Sequence, residues 1–374
     1  MGKDGTIYTQ EKNGEIAVSN FFPLITEKLI VDDGKESEVY YNVTPICNAR
    51  MEMDSLIIPA ASFKSSNWVF KKLGGKAILY STKHYDAVRR LAQIVAREVA
   101  EHKIIGCMGW LNTSKEENCP DYSYCFSGGC IGETQSPVRV TEMQELNGYK
   151  FDLNPPSIEE CFTSYHMLET LVPDRQEVML TLIAHAFSSI LVHKLEQEGV
   201  MPKHLVWVYG CSGSFKTSVA LVVLSLFGAM ENPPCTFIDT VNSIEKKMPL
   251  AKDGLLLIDD FFPASTPNAA TQKNNKASIV TRGIGDRIGK ARAASNMVLQ
   301  REYRPRGNVL VTGEDCPTGF STTSRHLSIS LNRGDVDVSK LSQLQNSAHL
   351  LNGLMVHFIL WVKKTIMDLS LIHI

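Results

Sequence analysis

The run Leu205-Val206-Trp207-Val208-Tyr209-Gly210-Cys211-Ser212-Gly213-Ser214-Phe215-Lys216-Thr217 decides the fold. Its first five residues are a continuous apolar strand, and the apolar stretch from Ser218 to Met230 after it opens as a helix. Between them lies a loop of small residues. A loop that wraps a phosphate needs little side-chain bulk, so that successive backbone N–H groups can turn inward at a helix N-terminus. It also needs a Lys for the β- and γ-phosphates and a hydroxyl for Mg²⁺. Gly210, Cys211, Ser212, Gly213, Ser214 and Phe215 form the cradle, Lys216 supplies the cation and Thr217 the hydroxyl. Phe215 departs from the usual pattern, which has Gly there.

Working outward, Leu255-Leu256-Leu257-Ile258-Asp259-Asp260 is an apolar strand that ends in two carboxylates, 43 residues beyond Lys216. In phosphate-loop enzymes the first such acid holds the Mg²⁺ shell, which assigns Asp259 to the metal with Thr217. Asp260 is the candidate that positions or deprotonates water, although it is shorter than the more usual Glu. Asn308–Asp315 reads as a further strand with Thr312 near its end, suited to sensing a γ-phosphate, and a plain strand-end turn would read the same way. Arg325 precedes the strand Leu327–Leu331, where ring-forming ATPases carry an arginine that enters the neighbouring subunit's site; an exposed strand-capping Arg fits equally.

Alternation of apolar strands (Leu205–Tyr209, Thr236–Ile238, Leu255–Ile258, Val309–Val311, Leu327–Leu331) with helical segments predicts a mainly parallel α/β sheet. The expected class is an N-terminal α+β region, then an additional-strand, AAA+-like phosphate-loop core with helices on both faces, then a helical segment. The expected boundaries are 1–154, 155–204 (a helical connector), 205–335 and 336–374. Pro155 and Pro156 set the first one, and Ser157 with Glu160 forms a capping box for the next helix. In the first part, strands are expected at Glu38–Val43, Ser55–Ile58 and Lys76–Tyr80. An amphipathic helix is expected over His84–His102, burying Val88, Leu91, Ile94, Val95 and Val99.

Between Lys273 and Arg306 nine Lys and Arg stand against two acids, although the whole 374-residue chain carries a net charge of only −2. Such segregation is what a phosphate-backbone contact surface needs. Arg282, Arg287, Lys290, Arg292, Arg301, Arg304 and Arg306 are the candidate nucleic-acid contacts, with a solvated basic loop as the plainer alternative.

A hydrophobic fraction of 44% and a charged fraction of 21% exclude a disordered or collagen-like chain and predict a sizeable core. Nine cysteines without an apolar N-terminal leader point to free thiols in a reducing cytoplasm. Of Cys107, Cys119, Cys125 and Cys130, only the last two have zinc-knuckle spacing, so buried or free thiols are expected in place of a metal site. His84, His102 and His185 have no metal-ligand partner pattern. The apolar runs Ser218–Met230 and Leu354–Val362 are both too short for a bilayer span of about 20 residues. Ser370–Ile374 resembles translated adapter sequence and is read as lying outside the fold.

With these residues in view, the chain resembles the domain-of-unknown-function family numbered 927, phosphate-loop ATPases of phages, plasmids and integrative elements. In the first half the likeness rests on Leu56-Ile57-Ile58-Pro59-Ala60, Trp68-Val69-Phe70, Gly109-Trp110 and Ser127-Gly128-Gly129-Cys130-Ile131-Gly132. In the second half it rests on Gly213-Ser214-Phe215-Lys216-Thr217 and on Pro305–Asp315 with Arg325 downstream. The resemblance implies a helicase-like motor in the replication of a mobile element, linked to a primase or polymerase. The combined expectation is an ATP- and Mg²⁺-dependent motor on single-stranded DNA that assembles as a homo-oligomeric ring. The alternative is a slowly hydrolysing, ATP-switched loader that recruits a polymerase or helicase.

Overall fold

The computed structural model describes residues 5–12, 14–34, 37–47, 53–113, 121–132, 139–140, 143–262, 266–287, 292–293, 299–300, 303–317 and 319–367. The chain divides into two units, 1–105 and 106–374. In the first, β1 (Ile7–Glu11) and β2 (Gly14–Ser19) form an antiparallel hairpin. The long β3 (Phe22–Asp32) pairs antiparallel with β4 (Ser37–Ile46), which continues to β5 (Leu56–Pro59). Helix α1 (Thr82–Val95) crosses over to β6 (Glu101–Ile105), which lies parallel to β3.

Two expectations fail in this unit. The helix ends near Val95, and His102 sits on β6. Its buried residues are Tyr85, Val88 and Ala92, continued by Ala96, while Leu91, Ile94 and Val95 are exposed. A 3.6-residue period starting from Tyr85 selects that set: Val88 is buried as expected, whereas Leu91, Ile94 and Val95 are turned off that face. Lys76–Tyr80 contributes only an isolated bridge from Leu79 to Ser19 rather than a strand.

The second unit is built on five parallel strands. They are β10 (Leu205–Tyr209), β11 (Cys235–Thr236), β12 (Leu255–Phe261), β13 (Asn308–Gly313) and β14 (His326–Ser330), in spatial order β11-β12-β13-β10-β14. Residues Leu205–Val208, Leu255–Ile258 and Asn308–Gly313 are buried without alternation, because helices cover the sheet. Those helices are α2 (Ile158–Glu169), α3 (Gln176–Ser189), α4 (Val192–Gln197), α5 (Lys216–Leu224), α6 (Val241–Leu250), α7 (Pro267–Asp286), α8 (Phe320–Thr323), α9 (Val338–Asn346) and α10 (Ala348–Val362). The capping box starts α2 as expected: Ser157 N–H donates to Glu160 Oε2 at 3.0 Å, and Glu160 N–H donates to Ser157 Oγ at 3.3 Å.

Residues 106–154 belong with this sheet, which moves the expected boundary from 154 back to 105. They carry a small antiparallel sheet of β7 (Gly109–Asn112), β8 (Tyr122–Phe126) and β9 (Gly129–Ile131). Trp110 N–H donates to Asp253 Oδ2 at 2.9 Å and its indole to Ile190 O at 2.8 Å. Tyr124 donates to Asp253 O, and Tyr149 to Leu255 O, each at 2.7 Å. Lys252, buried with Asp253 as an ion pair, returns a bond to Trp110 O. Edge-to-face contacts from Trp110 to Tyr124 and on to Phe151 complete the seam.

Candidate active site

The parallel order brings the C-terminal ends of β10, β12 and β13 to one rim, where open α/β sheets bind ligands. The loop after β10 starts at Gly210, whose N–H donates to Gly313 O at 3.2 Å. A side chain at Gly210 would collide with the Leu331 carbonyl. Gly213 has φ 81°, and Phe215 has φ 61° and ψ 21°, so Phe215 adopts the left-handed conformation that a Gly would reach more cheaply. The residue is 41% exposed. Helix α5 starts at the next residue, leaving the first-turn N–H groups directed at the loop.

Lys216 Nζ donates to Cys211 O at 2.9 Å and lies 3.5 Å from Ser214 Oγ. Thr217 Oγ1 donates to Asp259 Oδ1 at 2.9 Å, and Thr312 Oγ1 donates to the same oxygen. The register between β12 and β13 slips after Ile258↔Val311 and resumes at Phe261↔Gly313, so Asp259 and Asp260 form a bulge. Asp260 sits there at φ 66°, in the left-handed region, and both carboxylates line the same cavity. Ser212, Gly213, Phe215, Lys216, Thr217, Asp259, Asp260, Thr312 and Glu314 are among the residues lining one cavity of about 300 Å³. A hydroxyl and a carboxylate side by side are the hard oxygen donors that Mg²⁺ takes, and Lys216 with the loop amides suits polyphosphate. The residues therefore fit both groups.

Two contributors to this site escaped the sequence reading. Glu314 lines the same cavity, one residue beyond β13. Arg333 reaches across from the loop after β14: its Nε donates to Ser212 O at 2.9 Å, and its guanidinium lies beside Gly213. That loop is staked by Asp335, which accepts from Asn332 N–H at 2.8 Å and from Arg175 at 3.4 Å. The only sequence signal for Arg333 was its place just after the strand that pairs with β10.

Arg325 lies at the head of β14 and outside the cavity. Its Nε and Nη2 donate to Asp286 Oδ1 at 3.1 and 2.9 Å, and its side chain is 29% exposed. The basic stretch is less uniform than expected. Arg287 is buried, donating to Pro202 O, Pro305 O and Gly307 O, and burial lowers its pKa to about 10. Arg306 donates to Pro249 O at 2.8 and 3.0 Å. Both are struts between backbone segments, which removes them from the expected nucleic-acid face. Arg282 and Arg304 are exposed. Lys290 and Arg301 lie outside the described residues, and of Arg292 only the backbone is described. Among the described residues no three or more His, Cys, Asp or Glu group as a metal site, and no helix is long and apolar enough to cross a membrane.

No family model matches the chain, and no curated protein does. Among solved structures it is similar to the active helicase Cch of SCCmec type IV, with a TM-score of 0.52 at 12% identity, over 97% of this chain and 64% of that one. The chain shares its fold with that protein. Its α/β sheet is the phosphate-loop NTPase core expected from the Gly210–Thr217 run. This chain thus spans less than two thirds of that helicase's length. The helicase of JCV also matches, at 14% identity over 58% of this chain and 63% of that one; its TM-score of 0.33 is too low to argue from.

Proposed function

We propose that this chain is an ATP-hydrolysing, Mg²⁺-using nucleic-acid motor of helicase type, related to family 927 and serving DNA replication in a phage or mobile element. The observation that carries the reading is the convergence of Thr217 and Thr312 on one oxygen of Asp259, beside Lys216. In this reading Lys216 and the amides of Gly213–Thr217 hold the β- and γ-phosphates. Thr217 and Asp259 hold Mg²⁺, which when bound neutralises phosphate charge. Thr312, fixed by Asp259, reports occupancy of the γ-phosphate position. Asp260 orients the attacking water, with Glu314 as the neighbouring carboxylate. Arg333 fixes the loop in cis through Ser212.

Arg325 has the position of a residue that acts on a neighbouring subunit's nucleotide, and in that role it exchanges Asp286 for phosphate as a ring assembles. Arg282 and Arg304 would contact the nucleic-acid backbone. The test is ATP hydrolysis with and without single-stranded DNA. A motor's rate rises severalfold with DNA. A rate that responds only to a polymerase or helicase partner identifies the loader instead.

A further inference from the structure

Outside the nucleotide site, the sharpest chemistry in the ATPase unit lies in the β8–β9 hairpin. Ser127 and Gly128 form its two-residue turn, with Gly128 at φ 89°, and the register is Phe126↔Gly129, Cys125↔Cys130, Tyr124↔Ile131. A two-residue turn closes on a hydrogen-bonded pair, so the next pair, Cys125 and Cys130, is a non-hydrogen-bonded one. Such pairs bring Cα atoms to about 4.5 Å with both side chains on one face, inside the range of roughly 4.4–6.8 Å that a disulfide spans. The two Sγ atoms stand 3.0 Å apart.

The pair is asymmetric. Cys125 is wholly buried in the seam beside Tyr124, whereas Cys130 is only partly buried. The Cys125 thiol donates toward Cys130, which lowers the pKa of Cys130 and raises that of Cys125 further than burial alone would. A reagent from solvent therefore meets Cys130 first, and the bond from Cys125 favours its thiolate.

We propose that Cys125 and Cys130 are a peroxide-oxidisable dithiol, with Cys130 as the attacking and Cys125 as the resolving thiol. The Cys130 thiolate attacks one peroxide oxygen and the O–O bond breaks. The departing hydroxide takes a proton and leaves as water, and Cys130 becomes a sulfenic acid. Cys125 sulfur then attacks Cys130 sulfur, the S–O bond breaks, and the Cys125 proton leaves with the hydroxyl as a second water. One peroxide gains two electrons and the thiol pair loses two. The strands are already paired in the register that the bond requires.

The experiment treats the reduced full chain with hydrogen peroxide, blocks residual thiols by alkylation under denaturing conditions, and maps the peptides. Cleavage after Phe126 separates the two cysteines, so a bridge appears as two linked peptides. The expected result is a Cys125–Cys130 link that a reductant abolishes. In Cys125→Ser, Cys130 should stop as a sulfenic acid captured by dimedone, and in Cys130→Ser the link and the dimedone adduct should both be lost. The wild-type map needs no variant to fold. Both thiols still alkylated after peroxide, a bridge from either one to Cys119 or Cys107, or a zinc ion on the reduced pair in the native mass spectrum would each overturn the proposal.

Discussion

Replacing Phe215 by Gly and, separately, by Ala isolates what the backbone of the Gly210–Thr217 loop costs this chain. Phe215 holds φ 61° and ψ 21°, and both variants lose the same partly exposed ring. They differ only in a Cβ. A left-handed residue bearing a Cβ carries about 1–2 kcal/mol of steric penalty. Gly removes that penalty but gives back about 0.4–1 kcal/mol through the greater freedom of its unfolded chain. The Gly variant should therefore be more stable than the Ala variant by roughly 0.5–1 kcal/mol. Urea unfolding of the full chain, followed by Trp fluorescence, measures the difference. A fluorescent ATP analogue should bind the Gly variant within about twofold of wild type, equivalent to about 0.4 kcal/mol, because the amides keep their direction. An Ala variant as stable as the Gly variant would refute the strain argument. A Gly variant that no longer bound nucleotide would show that the ring itself makes the loop.

Asp260→Asn should slow ATP turnover by about a hundredfold at unchanged nucleotide affinity, and Glu314→Gln by less than about tenfold; the opposite ranking in steady-state kinetics would transfer the water-positioning role to Glu314. Arg287→Ala strips three backbone carbonyls of a buried partner and should cost about 2–4 kcal/mol in urea melts. The same variant should leave the salt dependence of DNA binding unchanged, whereas Arg282→Ala should make that dependence shallower. His185 donates from Nε2 to Val309 O at 2.9 Å, and burial lowers its pKa from 6.5 to about 4. As pH falls through that interval the unfolded chain takes a proton that the folded site refuses, so stability present above pH 6.5 is lost, by roughly 3 kcal/mol in full. His185→Gln keeps a donor and should flatten that part of the stability-versus-pH curve.

The residues of the candidate site could be picked out in the sequence because they are nearly contiguous. Gly210–Thr217 lies on one loop, and Asp259 and Thr312 each end an apolar strand. The parallel sheet followed from the unbroken apolar runs that covered strands require. What was missed depends on contacts between distant positions. Trp110 and Asp253, 143 residues apart, tie 106–154 to the five-stranded parallel sheet, and no local pattern marks that pairing. Arg287 and Arg306 have the same letters whether they face phosphate or backbone carbonyls, and only burial separates the two fates. Arg333 is one exposed arginine among many until the fold sets it against Ser212. On α1 the apolar residues are numerous enough to offer two faces, and the packing of Tyr85 chose between them.

The central claim is that the Lys216–Asp259 cavity hydrolyses ATP. The most direct test is the steady-state ATPase rate of purified Lys216→Ala and Asp259→Asn against wild type, with circular dichroism to verify the fold. The account predicts two folded variants whose rates fall by about a hundredfold or more, since each loses a group that stabilises phosphate charge in the transition state. Wild-type hydrolysis by either folded variant would contradict it.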